Sequence, residues 1–147
     1  MENLLINNKS KLNVSNLVRV GDISYFEGPI LTLFEELNTG HFYLFDWVDR
    51  DEKCNRWLIY SVLPESLSQY LNREISHLDF FKNRTQKNVC CMDISSQNGS
   101  FHNYDAFELA QIPENYLPKQ DNFFDIEDCP AFEIIKAAVA KTLSLAH

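Results

Sequence analysis

From Leu17 to Leu63 the pattern of apolar and polar positions is strand-like, with turn signals between the runs. A first strand is predicted over 17–26, ending at Glu27-Gly28-Pro29, where Gly tolerates a positive φ and Pro breaks a ladder. The next, 30–37, sets Ile30, Thr32, Phe34 and Glu36 on one face and Leu31, Leu33, Glu35 and Leu37 on the other. Asn38-Thr39-Gly40 is a hairpin turn. The run His41–Asp49 is apolar on both faces, which marks a central strand covered on both sides. A polar turn over 50–55 leads to a fourth strand over 56–63, and tight turns between strands imply an antiparallel meander.

The period then changes. Pro64 opens a short helix to Asn72, with Leu67, Tyr70 and Leu71 spaced at i, i+3, i+4. Ser76 and Asp79 form a capping-box variant that starts a second short helix through Phe81. Strands over 88–94 and 101–109 flank Asn98-Gly99, the strongest two-residue hairpin signal. Residues 113–128 read as an acidic loop with local turns, and 1–16 as a loose lead-in or a short first element. The last helix is capped by Asp128 or Cys129, with Pro130 in its first turn. Glu133 lies early and Lys136 and Lys141 late, as the helix dipole favours. Its stripe of Phe132, Ile135, Val139 and Leu143 should pack on one face of the sheet. The expected fold is α+β and a single domain over 1–147: a twisted antiparallel meander, two short helices after the fourth strand, and a C-terminal helix on one face.

The runs Tyr25-Phe26-Glu27-Gly28-Pro29-Ile30-Leu31, Asn38-Thr39-Gly40 and Phe42–Asp49, followed by Trp57-Leu58, Ile75–Phe81 and Ile112–Pro118, resemble a family of small bacterial and phage-borne domains of unknown function. The likeness spans residues 17–120. It implies the meander-then-helix architecture and assigns no catalytic residue.

Charge and cysteine chemistry narrow the functional classes. The chain of 147 residues carries a net charge of −8, with 13 acidic against 10 basic side chains in 1–103 and 8 against 3 in 104–147. Such a surface repels phosphate backbones, and no Lys/Arg run is interleaved with aromatics, so direct nucleic-acid binding is not expected. A basic protein partner suits it better; the plainer account is that the charge serves solubility. Cys54, Cys90, Cys91 and Cys129 contain no Cys-x-x-Cys, and the adjacent pair would point to opposite faces of a strand. Free thiols in a reducing cytosol follow. The start of the chain has an acid where a signal peptide needs a positive charge, and no apolar run nears the ~18 residues of a membrane span. The expectation is a soluble, cytoplasmic protein that holds no metal and no cofactor, and its sequons at Asn13, Asn83 and Asn98 carry no glycan.

Few constellations could carry chemistry. Phe42, Tyr43, Phe45, Trp47, Trp57 and Tyr60 lie on two adjacent strands, either as core pairs or as an incompletely covered docking face. Asp46, Asp49, Asp51 and Glu52 cluster at one hairpin end without the pattern of a calcium loop; Asp46 and Asp49, three apart, face opposite sides unless a bulge intervenes. Cys90 or Cys91 with His102 and Asp105 is the sole nucleophile arrangement, and it lacks an activating elbow or helix N-terminus. Phosphate loops and hydrolase motifs are missing.

The leading expectation is a non-enzymatic module of the immunity, antitoxin-like or inhibitor type, acting by occupying a protein partner. The alternative is a small-molecule sensor or weak enzyme using a cleft between sheet and helices, with His102, Asp105 or the acids near Asp125 as its polar groups; a structural, homo-oligomeric role is the third. Two acidic surfaces could meet a partner: the hairpin tip with Asp49, Asp51 and Glu52, and the loop with Asp121, Phe123, Phe124, Asp125 and Asp128. The loop is preferred, because it carries an apolar pair between acids; the competing account tucks both rings beneath the C-terminal helix.

Overall fold

The computed structural model describes the backbone of residues 3–7, 10–87 and 89–145, and the side chains of 15–87, 89–100, 108 and 110–144. Six strands form one antiparallel sheet: β3 (Leu17–Tyr25), β4 (Pro29–Glu36), β5 (Phe42–Arg50), β6 (Cys54–Val62), β7 (Val89–Ser95) and β8 (Phe101–Phe107). They lie in sequence order, so every strand pairs with its neighbour in the chain. Two short helices, α1 (Pro64–Leu71) and α2 (His77–Lys82), connect β6 to β7, and α3 (Phe132–Leu145) closes the chain. The α+β meander expected from periodicity is the fold.

The lead-in holds regular structure. β1 (Asn3–Asn7) and β2 (Ser10–Asn13) pair antiparallel, and β1 lies against β8. A pair this short owes its order to what it packs against, so periodicity could not announce it.

Alternation divides the strand side chains between two faces. One carries Leu31, Leu33, Phe42, Leu44, Leu58 and Tyr60, all buried beneath the helices. Leu67 and Tyr70 of α1, Phe80 and Phe81 of α2, and Ile135 and Val139 of α3 complete that core. The other face carries a smaller cluster of Tyr43, Phe45, Ile59, Cys90 and Met92, with Leu17, Phe34, Trp57 and Ile94 partly buried around it.

Local chemistry sets the helix positions. Ser76 accepts the Asp79 amide at 3.2 Å and so starts α2. The end of the chain differs from expectation: Ile126–Asp128 form a single 3-10 turn and α3 begins at Phe132, so Asp128 and Cys129 lie one turn ahead of it. Asp125 is the side chain that caps that turn, accepting from the Glu127 amide at 3.0 Å. Gly21 lets α3 approach β3, since a Cβ there would stand 2.6 Å from the Cβ of Ala131. Among the described residues no helix is long and apolar enough to cross a membrane.

Candidate functional site

The helix side of the sheet buries polar groups as well as rings. Tyr60 Oη donates to Asp46 Oδ2 at 2.9 Å, and His77 Nε2 lies 3.0 Å from the same oxygen. A carboxylate oxygen accepts, so Nε2 carries the proton of that contact and Nδ1 faces the Asn122 side-chain amide at 3.4 Å. The His77 backbone amide donates to Asn122 O at 2.7 Å. Strands β5 and β6, helix α2 and the acidic loop therefore meet at one buried hub. Burial and the Asp46 carboxylate hold the Tyr60 hydroxyl well above the usual phenol range. The hub is closed over by side chains, which suits it to holding the fold rather than to reaching a substrate.

A bulge in β5 brings Asp49 to this same side. Trp47 pairs with Trp57 and Asp49 with Arg56, leaving Val48 as the extra residue. Asp49 Oδ2 then accepts from Tyr116 Oη at 2.8 Å, and Tyr116 Oη in turn accepts from Arg56 Nη1 at 3.2 Å. Arg56 grips Asp93 with both arms, at 2.7 and 2.9 Å. The Tyr116 bond and the Arg50 amide hold the Asp49 carboxyl below the usual carboxylate range. Asp51 is lowered in the same direction by the amides of Lys53 and Cys54, which it accepts at 2.8 and 2.7 Å. Both acids thus organise the β5–β6 turn, while Glu52 is exposed at its tip.

In the acidic loop the two phenylalanines part company. Phe124 is buried, with ring centroids 5.8 Å from both Phe132 and Tyr70, so it belongs to the core and offers a partner nothing. Phe123 is 40% exposed and has the Arg73 guanidinium 6.0 Å from its centroid. Asp121, Asp125 and Asp128 are exposed.

Cys90 and Cys91 point to opposite faces and are both buried, Cys91 within the helix-side core and Cys90 within the other cluster. The ladder register sets Cys91 opposite Asp105. The side chains of His102 and Asp105 lie outside the described residues. No trio of His, Cys, Asp or Glu comes together among the described residues in a way that could hold a metal.

The helix-free face carries the concave surface. Phe26, 69% exposed on the β3–β4 turn, borders a cleft of about 460 Å³ whose floor is Pro29, Ile30, Trp47 and Trp57. That turn bends sharply, with Glu27 at φ 55° and Gly28 at φ 137°, and this geometry lifts Phe26 beside the sheet. Trp47 Nε1 donates to Asn55 Oδ1 at 3.0 Å, fixing the indole, and Trp57 leans on Phe45 at 6.4 Å between centroids. A second cleft of about 350 Å³ shares Pro29, Asn55 and Trp57 with the first and continues over Phe34 and Phe45. A third, about 540 Å³, shares Arg50 and Asn55 and is walled by Asp51, Glu52 and Ser96. Together they make one trough, aromatic in the middle and acidic at one end. Arg19 stands at the opposite end, donating to Asp22 Oδ2 at 2.5 Å, where Thr32 donates to Oδ1 at 2.7 Å.

No protein-family model matches the chain, and no curated protein and no solved structure matches it. The site therefore rests on its own geometry. Of the six aromatic residues that the sequence places on two adjacent strands, Phe42 and Tyr60 face the helices, while Tyr43, Phe45, Trp47 and Trp57 face the other way. Phe26 and Asn55 were not foreseen. Phe26 had one available signal, an aromatic pair set directly against a Glu-Gly-Pro turn with no core position to fill.

Proposed function

We propose that the protein is a non-catalytic binding module that acts by occupying a protein partner, as immunity proteins, antitoxins and inhibitors do. The observation that carries this reading is the aromatic trough on the helix-free face, with an exposed Phe26 at its edge and both tryptophans in its floor, Trp47 held there by Asn55. Aromatic side chains held rigid by their own scaffold anchor interfaces at low entropic cost, and acidic groups serve best at the rim. The net charge of −8 favours a basic partner. The four cysteines form no disulfide, which suits a reducing, cytoplasmic setting.

The space between sheet and helices gives the sensor or enzyme alternative little support, because Leu58, Tyr60, Phe80, Phe81 and Ile135 fill it without exposure. The test is affinity capture from native lysate at low and at high salt, run in parallel with Phe26→Ser. Phe26 is exposed, so this change leaves the fold intact. A stoichiometric protein partner, held by the parent and lost by the variant, is expected. Equal capture by both would refute the trough as the binding face.

A further inference from the structure

We infer that the trough takes a segment of the partner in which an apolar side chain is followed by Lys or Arg, the apolar group over Phe34 and Phe45 and the cation at Trp47 and Trp57. This deepens the binding-module reading and rests on it. Three features of the trough select that chemistry. The stretch shared by the clefts is lined by Pro29 and Trp57, and the apolar end by the half-buried Leu17, Phe34 and Ile94 over a buried Phe45, surfaces that gain most from an apolar partner. Toward the β5–β6 turn the lining changes to carboxylates: Asp51 and Glu52 wall the third cleft and Glu27 the first, against one guanidinium, that of Arg50, among the described lining residues. Between the two regions stand both tryptophans of the chain, the side chains whose ring faces attract cations best. Trp47 is held by Asn55, and Asp51 by two backbone amides, so recognition needs little ordering of the trough. Arg19, at the apolar end, is already paired with Asp22 and so does not draw an acidic segment there.

The two tryptophans make the test direct, since their emission, excited selectively over that of the six tyrosines, reports on this trough. The probes are a tryptophan-free peptide of repeating Leu-Arg-Leu-Lys, the same peptide with Glu in place of each basic residue, and ATP. The basic peptide should change the emission saturably, and its affinity should fall steeply between low and high salt. Glu27→Gln combined with Glu52→Gln should weaken it by about threefold to tenfold, because these exposed rim charges steer and hold the cation without supporting the fold. Asp51 is left intact because it holds the turn. A response to the Glu peptide or to ATP as strong as that to the basic one would overturn the inference, as would an unchanged affinity in the double variant. Failure here combined with loss of partner capture in Phe26→Ser would remove the charge selectivity and leave the binding module standing. Capture that is indifferent to Phe26→Ser would remove the trough as the binding face, and this inference with it.

Discussion

Replacing Tyr60 by Phe tests whether the buried hub holds the two central strands to α2. The ring is fully buried and meets Phe81 edge-on at 4.9 Å between centroids, a contact that Phe keeps. Volume and packing are therefore conserved, and the change removes one hydroxyl that donates to Asp46 Oδ2 at 2.9 Å. A hydrogen bond to a charged acceptor contributes about 1.5–3 kcal/mol. Asp46 is 4% exposed and retains His77, so water does not readily replace the lost donor. The expected destabilisation is about 2 kcal/mol, within that range. For a chain of this length it corresponds to a fall in Tm of about 4–8 °C. Urea unfolding followed by far-UV circular dichroism gives the free energy, and an unchanged slope would show that both end states stay the same. A cycle with Asp46→Asn should show coupling of at least about 1 kcal/mol. A cost below about 0.5 kcal/mol in Tyr60→Phe would refute the reasoning, because it is the size of an ordinary surface change.

Three further outcomes follow from the geometry. Gly21→Ala should destabilise by about 1–3 kcal/mol, since its methyl meets the Ala131 methyl, and adding Ala131→Gly should restore much of the loss in thermal unfolding. The Asp49 and Asp51 carboxyls are lowered in the folded protein, so their stabilisation is complete above the ordinary carboxylate pKa and is lost as pH falls through the lowered values. Acid titration of stability should therefore be shallower below about pH 4 in Asp49→Asn than in the parent. Burial pushes the Cys129 thiol up to about 11, and Cys90 and Cys91 are buried as well. Alkylation at pH 8 followed by mass spectrometry should label Cys54 first and the other three only on unfolding; early labelling of Cys129 would contradict the packing of the 3-10 turn on β3.

Where strands and turns fall was legible from residue order, because the cues are local. Alternation from Ile30 to Leu37 reports a pleat with two unlike faces, and Asn98-Gly99 reports a tight reversal whatever lies around it. Ser76 capped its helix three residues ahead for the same reason. The contents of each face were not legible. His41–Asp49 is apolar on both sides, and nothing within it says that Phe42 and Leu44 meet helices while Trp47 meets a trough. That depends on where α1, α2 and α3 dock, a choice made by the whole core.

The candidate site divides the same way. Its tryptophans stood out as a cluster on adjacent strands, and cross-strand pairing brought Trp47 opposite Trp57. Phe26 and Asn55 joined them only through the turn at Glu27-Gly28 and the indole hydrogen bond. Phe123 and Phe124 are adjacent, yet one ring lies in the core and the other is exposed. Asp46 and Asp49 share a face because of one extra residue at Val48, a bulge with no sequence marker of its own. Arg56 grips a carboxylate 37 positions away and a tyrosine 60 positions away. Contacts at such separations form only after the strands have assembled, and their partners are chosen by the register of the sheet rather than by any neighbour in the chain.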